Sequence, residues 1–231
     1  MSKSIAIVED EPLIRENYAD TLRKQGYQVE AYGNRLEAIA AFEKKLPDLV
    51  LLDIGLNDEM EGGFEICRIL RSRSTSLPII FLTARDSDLD VVSGLRLGAD
   101  DYLTKDISLA NLSARIAAFF RRLDALRSPE AEETRVQRGE LSLDMDRLTA
   151  HWGEQAIDLT LTEFWLIHSL ARRPGHVKSR EQLMQDAKIV VDDATVTSHI
   201  KRLRNKFLDI DPNFNAIDTV YGMGYRWLSA Q

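Results

Sequence analysis

The chain has a single cysteine, Cys67, in 231 residues. One thiol excludes an internal disulfide and any zinc site built on cysteine pairs. Histidine is scarce as well. His151, His168 and His176 lack metal-ligand spacing to one another or to Cys67, so they read as structural. No apolar run approaches the roughly 18 residues of a membrane span. Met1–Ser4 passes straight into IAIV, without the basic start and apolar core of a signal peptide. The chain therefore reads as cytoplasmic, with no membrane partner. No Walker loop or GxGxxG occurs, which argues against a nucleotide-driven activity. With 44% hydrophobic and 29% charged residues, 12 Gly and 6 Pro, it is neither collagen-like, low-complexity nor wholly disordered.

At about 150 residues per domain the length allows one large domain or two small ones. The first half alternates. Apolar, β-branched runs at 5–8, 49–52 and 78–82, and weaker strands at 28–32 and 101–103, are followed by helical patterns near 12–25, 34–45, 63–73, 87–97 and 108–123. Five strands alternating with five helices predict an α/β doubly wound, five-stranded parallel sheet covered on both faces. Residues 124–135, DALRSPEAEETR, are poor in large apolar side chains and read as a linker between a domain at 1–123 and another at 136–231. The second is α+β: short strands with a turn at Gly153, helices near 161–173, 179–186 and 194–208, and a hairpin around Gly222–Gly224. Thr160 to Glu163 and Ser179 to Gln182 match the capping box that starts a helix.

Acidic charge is uneven. Residues 1–123 hold 16 Lys and Arg against 20 Asp and Glu; residues 136–231 hold 12 against 13. Within the latter, 194–206 carries Lys201, Arg202, Arg204 and Lys206 with no acid, a local feature compatible with nucleic acid in an otherwise acidic protein.

In the first domain Glu9 and Asp10 follow the first strand and Asp53 the third. In doubly wound sheets ligands bind beyond the carboxyl ends of the strands, at the switch in strand order. Clustered carboxylates repel unless a cation sits among them, and hard oxygen ligands suit Mg2+. Thr83 and Lys105 end two further strands on that edge. Such a set would bind a phosphoryl group, with Asp53 as nucleophile. Each residue alone is also what an ordinary solvent-facing strand end carries; the combination on four strand ends is what points to chemistry.

The segments IAIVEDEP, LVLLDIGL, PIIFLTAR and GADDYLTK resemble the receiver domain of bacterial two-component response regulators, a flavodoxin-like fold. The resemblance covers about residues 3–123. It implies that Asp53 accepts a phosphoryl group from a sensor histidine kinase. It implies Mg2+ held by Asp10, Asp53 and the Gly55 carbonyl, with Glu9 completing the acidic pair. Thr83 becomes the switch hydroxyl, Lys105 the phosphate lysine and Tyr102 the aromatic switch. Three positions depart from the family pattern. Asn57 stands where Pro is usual, the following loop is longer and strongly acidic, and Asp106 replaces the Pro after Lys105. Asp106 would either pair with Lys105 and weaken phosphate binding or cap the last helix.

In the second domain, a helix over 194–208 places Val196, Ile200, Leu203 and Phe207 on one core-facing stripe. Ser198 and Asn205 lie opposite, with Lys201 and Arg202 beside them. Thr197 and Arg204 form one flank and His199 and Lys206 the other. This is either a groove-reading helix or a solvated basic face. The hairpin downstream favours a winged helix-turn-helix. Residues 136–231 resemble the OmpR/PhoB-type winged-helix domain, through LTLTEFWLIHSLARRPGHVKSREQL, VTSHIKRLRNKF and IDTVYGMGYRW. The resemblance implies that Arg202 reaches bases and that Thr197, Ser198 and Lys201 face the groove. His199, Arg204 and Lys206 would touch or support phosphates, with Thr219 and Tyr221 on the wing. The loop AKIVVDD, which in the family can touch RNA polymerase, is shorter here, with Lys188 near the usual Trp.

Family members dimerise through the helix at 87–97, the strand at 101–103 and the last receiver helix. The matching ion pairs would be Asp100 with Arg115 and Asp101 with Arg122. A third would need other residues at Val91 and Asn111, so the dimer should be weaker than one with three pairs; the same charges can instead pair within one chain. A linker of this length spans roughly 20 Å, enough for two DNA domains on direct-repeat half-sites.

The sequence thus predicts a phosphorylation-controlled, DNA-binding transcription regulator with no small-molecule turnover. Its alternatives are a phosphorylation-independent DNA binder and an Asp-based phosphohydrolase.

Overall fold

The computed structural model describes residues 2–57, 59–85, 93–125, 135–187 and 193–228, without the side chains of 122 and 125. The chain divides into two compact units, Met1–Ala114 and Arg115–Gln231.

In the first unit, β1 (Ser4–Val8), β2 (Gln28–Tyr32), β3 (Leu49–Leu52), β4 (Ile79–Thr83) and β5 (Asp101–Thr104) form one sheet in the order β2-β1-β3-β4-β5. All neighbours are parallel. The central strands are buried at every residue of β3 and β4, as a sheet covered on both faces requires. Helices α1 (Pro12–Lys24), α2 (Arg35–Lys44) and α3 (Gly62–Arg73) connect them, and α4 (Leu109–Ala125) follows β5. Asn34 caps α2 by accepting from Glu37 N–H. Of the helix predicted at 87–97, residues 87–92 lie outside the described residues, and 93–96 are helical. α4 runs two residues into the predicted linker, and residues 126–134 lie outside the described ones.

The second unit's antiparallel sheet comprises β6 (Arg135–Arg138), β7 (Leu141–Asp144), β8 (Thr149–Trp152) and β9 (Gln155–Ile157). Then come α5 (Leu161–Arg172), α6 (Arg180–Asp186), α7 (Asp193–Leu208) and the hairpin β10 (Ile217–Val220) with β11 (Gly224–Trp227). Both expected capping boxes form with both reciprocal hydrogen bonds. The expected stripe of α7 is buried, and Thr195, His199 and Arg202 are buried with it. The apolar face is therefore wider than the sequence stripe, because α7 packs against both α5 and α6. Among the described residues no helix is long and apolar enough to cross a membrane.

Candidate functional sites

The strand order puts the carboxyl ends of β1 and β3 side by side, and the chain turns there on Glu9-Asp10 and Asp53. One carboxylate oxygen from each of Glu9, Asp10 and Asp53 lies within 4.8 Å of the other two. Glu9 and Asp53 are buried. Lys105, just past β5, reaches back with Nζ 2.7 Å from Asp53 Oδ2 and 2.8 Å from Glu9 Oε1. Burial pushes the Glu9 pKa up to about 7; the Lys105 hydrogen bond opposes this and the Asp53 charge adds to it. Burial works against charge on Lys105, yet its bonds to Asp53 and Glu9 hold its pKa above the ordinary value. Two buried carboxylates sharing one ammonium still carry negative charge, and three hard oxygen donors converge there. The donor set fits a divalent cation. Gly55, whose carbonyl is the expected backbone ligand, has open space where a Cβ would stand.

Thr83 ends β4 and is buried, its Oγ1 accepting from Arg85 N–H at 3.4 Å. Tyr102 is buried too. Its hydroxyl donates to the Arg85 carbonyl at 2.9 Å, and its ring lies 6.0 Å from that of Phe81. Arg85 in turn donates from Nη2 to the Met60 carbonyl at 2.7 Å, tying the loop after β4 to the loop after β3.

The departures from the family pattern acquire physical reasons. Asn57 has φ 53°, a region closed to proline, and its backbone N–H donates to Asp10 Oδ2 at 2.8 Å. Proline would remove both the conformation and the donor. Its side chain donates to the Gly33 carbonyl. Asp106 neither pairs with Lys105 nor caps α4. It accepts from the Thr104 hydroxyl, while Ser108 Oγ accepts from Asn111 N–H at the helix start.

Sequence reading missed Arg15, whose Nη1 donates to the carbonyls of Glu9 at 2.7 Å and Asp10 at 3.1 Å, holding the acidic turn. It also missed Gly63; its signal was the Gly62-Gly63 pair at the start of α3. A Cβ on Gly63 would lie 2.0 Å from the Asp53 carbonyl oxygen. That neighbour is backbone and cannot rotate away. Gly63→Ala is therefore expected to destabilise the first unit by about 3 kcal/mol, read as a lower urea midpoint by circular dichroism. Gly55→Ala, in open space, should leave the midpoint unchanged.

The expected dimer-face acids are buried in the monomer. Asp100 Oδ2 accepts from Arg71 Nη2 at 2.7 Å and from Ile79 N–H at 3.1 Å, with the carboxylate fully enclosed. Within one chain Asp100 thus serves Arg71, which crosses from α3 and donates to the Gly98 carbonyl; its expected pairing with Arg115 is one between two copies. Asp101 is buried, its Oδ1 accepting from Tyr102 N–H. The Arg122 side chain and Val91 lie outside the described residues.

In the second unit several side chains expected at DNA have partners within the chain. Arg202, expected to reach bases, is buried with Nη2 2.9 Å from Glu163 Oε1. Lys206 Nζ lies 2.6 Å from Glu163 Oε2 and donates to the Asp158 carbonyl. His199 is wholly buried. Within the chain these three form a charge cluster around Glu163. The cause is that α7 buries more of its circumference than its apolar stripe. Arg204 supports the wing instead, donating to the Ile217 carbonyl and to Thr219 Oγ1 at 2.7 Å. Thr197, Lys201 and Asn205 stay exposed one turn apart, with Ser198 half-buried beside them. Arg180, missed from sequence, donates from Nε to Thr197 Oγ1 at 3.0 Å and sits over the Tyr225 ring. At the wing tip Tyr221 is 93% exposed. Lys188 and the rest of 188–192 lie outside the described residues.

A parallel sheet with an acidic pocket and a lysine at its carboxyl edge, followed by a three-helix domain with a wing, defines a two-domain response regulator. Comparison with known proteins agrees. The response regulator receiver domain model matches residues 5–117, and the model for the C-terminal part of transcriptional regulatory proteins matches 153–227. The chain is 36% identical to the transcriptional regulatory protein CreB of Escherichia coli K12, over 96% of each chain. It is 39% identical to the sensory transduction protein RegX3 of Mycolicibacterium smegmatis, over 96% of this chain and 98% of the relative. The crystal structure of DrrB, a Thermotoga maritima OmpR/PhoB homologue, superposes with a TM-score of 0.53 at 28% identity, over 99% of this chain and all of that one. The chain belongs to the OmpR/PhoB family of response regulators, with a receiver domain and a DNA-binding domain.

Proposed function

We propose that Asp53 accepts a phosphoryl group from a phosphohistidine of a sensor kinase and that this acylphosphate controls DNA binding by the second domain. The observation that carries the reading is Asp53 Oδ2 at the end of β3, 2.7 Å from Lys105 Nζ and within reach of Glu9 and Asp10. In the transfer the donor's N–P bond breaks as an Asp53 O–P bond forms, and the imidazole leaves with the electron pair and takes up a proton. Glu9, Asp10, Asp53 and the Gly55 carbonyl would hold Mg2+, which when bound neutralises the phosphoryl oxygens. Lys105, shared by Glu9 and Asp53 beforehand, pairs with a phosphoryl oxygen once Asp53 carries the group, and Thr83 offers a hydroxyl to another. Tyr102, linked to Arg85, follows Thr83. The proposed reaction is a single transfer to the protein, without turnover of a small-molecule substrate.

On DNA, Thr197, Ser198 and Lys201 would face the major groove, joined by Asn205 and Arg180, with Thr219 and Tyr221 on the wing. A phosphorylated homodimer would set two such domains on direct-repeat half-sites about one helical turn apart. The working limits are a receiver at 1–123, a linker at 124–135 and the DNA-binding domain at 136–231, all in the cytoplasm, with RNA polymerase met through the loop at 187–193.

The test is intact mass after incubation with acetyl phosphate and Mg2+. The parent is expected to gain one phosphoryl group and to shift toward dimer on sizing, and Asp53→Asn to do neither. Absence of phosphoryl gain from both acetyl phosphate and a sensor kinase would favour phosphorylation-independent DNA binding.

A further inference from the structure

The recognition helix leaves a charge shortfall. Arg202 and Lys206 of α7 serve Glu163, and Arg204 serves the hairpin. Lys201 is its one exposed cation without an ion pair among the described residues. Backbone phosphates supply most of the affinity in protein–DNA complexes, so cations must come from elsewhere in a domain whose 12 Lys and Arg face 13 Asp and Glu.

They are gathered in a polar cleft of about 400 Å3 between α5, the loop after it and α6. Arg172, Arg173 and Lys178 line it beside the imidazoles of His168 and His176, against one acid, Asp186. Lys178 pairs with Asp186 and donates to Ser169 Oγ at 3.1 Å. Arg172, Arg173 and His176 are exposed, with no ion pair among the described residues. His168 adds no charge of its own: burial first, and then the charges of Arg172 and Lys178, press it from the ordinary 6.5 down to about 4 against the pull of Asp186.

The cleft is also continuous with the candidate DNA face. Lys178 exchanges backbone hydrogen bonds with Tyr225, N–H to carbonyl at 2.8 Å one way and 2.9 Å the other. The Tyr225 ring carries Arg180 and Arg204 at 5.4 and 5.8 Å, and Arg180 reaches Thr197 on α7. The cleft is open and polar without an apolar anchor, which suits a phosphodiester backbone better than a protein partner, whose interface would centre on one.

We propose that this cleft is a second DNA-backbone grip, in which Arg172 and Arg173 contact phosphates flanking the site that α7 faces. The proposal rests on the DNA-binding reading above. It is tested with the full chain, with and without acetyl phosphate, binding a fluorescein-labelled duplex of mixed sequence about three helical turns long. Anisotropy gives Kd between about 50 and 200 mM KCl. The slope of log Kd against log salt should fall by about 1.8 in Arg172→Ala/Arg173→Ala, at about 0.9 per lost phosphate contact. The unfolding midpoint should be unchanged, since both side chains are exposed. Arg147→Ala, an exposed cation between β7 and β8, should leave the slope as in the parent. A parent that binds with an unchanged slope in the double variant overturns the cleft contact alone, as does an equal fall per charge in Arg147→Ala. A parent that does not bind duplex overturns the DNA reading and the cleft contact with it. Saturable binding of inorganic phosphate, lost in the double variant while the duplex slope is unchanged, assigns the cleft to a free anion and overturns it as a DNA grip.

Discussion

Glu163→Gln is expected to remove about 3–5 kcal/mol from the stability of the DNA-binding domain. The Glu163 side chain is completely buried and receives Arg202 on one oxygen and Lys206 on the other. It also accepts from the Thr160 N–H in the capping box at 2.9 Å. Burial alone would raise its pKa, but Arg202, Lys206 and His199 outweigh that and hold it below the ordinary carboxylate range. A depressed carboxylate contributes stability that is present above its unfolded pKa and lost as pH falls through the folded one. At pH 7 the contribution is complete. Glutamine keeps the capping acceptor but leaves the buried guanidinium without its counter-charge, which is the costly step. All three tryptophans, Trp152, Trp165 and Trp227, lie in this domain, so urea unfolding followed by tryptophan fluorescence reports it selectively. Glu163→Gln/Arg202→Met should cost less than the sum of its single variants, because removing both charges leaves neither stranded. Additive losses would mean that the pair is not coupled.

Lys105→Ala is expected to slow phosphoryl uptake from acetyl phosphate by on the order of 10²-fold, the usual effect of deleting one preorganised donor to a developing charge. On the proposed function the lysine would have two opposing tasks. In the structure it neutralises Glu9 and Asp53; in the proposed transfer it would pair with the incoming phosphoryl oxygen. Without it the two carboxylates face each other uncompensated, and Glu9, already pushed up to about 7, takes a proton more readily. A protonated Glu9 is a poorer cation ligand, so the variant should also need more Mg2+ for the same rate. Intact-mass time courses at several Mg2+ concentrations separate the two effects. A rate within threefold of the parent would remove Lys105 from the acceptor chemistry.

Much of the receiver was readable because its signals are local. The runs at 49–52 and 78–82 are apolar at consecutive positions, which only a strand covered on both faces requires. Asp53 and Thr83 stand directly at the ends of those runs, Glu9 and Asp10 at the end of the run 5–8, and Lys105 just past the weaker strand at 101–103. Once the runs are strands in one parallel sheet, their carboxyl ends must share an edge. The helix starts at Thr160 and Ser179 were readable for the same reason, since a capping box closes within four residues.

What sequence alone determined is therefore the periodicities, the order of elements, the residues at the strand ends and the family. The fate of the individual charged side chains was decided by tertiary structure. A helical projection gives Arg202 and Lys206 an outer or flanking place on α7, but it holds no information about Glu163, some forty residues earlier, on α5. Packing brings that buried carboxylate against them, and the electrostatic cost of leaving it unpaired outweighs their solvation. Asp100 follows the same logic through Arg71, and Asn57 through a backbone N–H that meets Asp10 only after the loops beyond β1 and β3 come together. A charged residue's neighbours in space, not its neighbours in the chain, decide whether its charge faces inward or remains available to a partner.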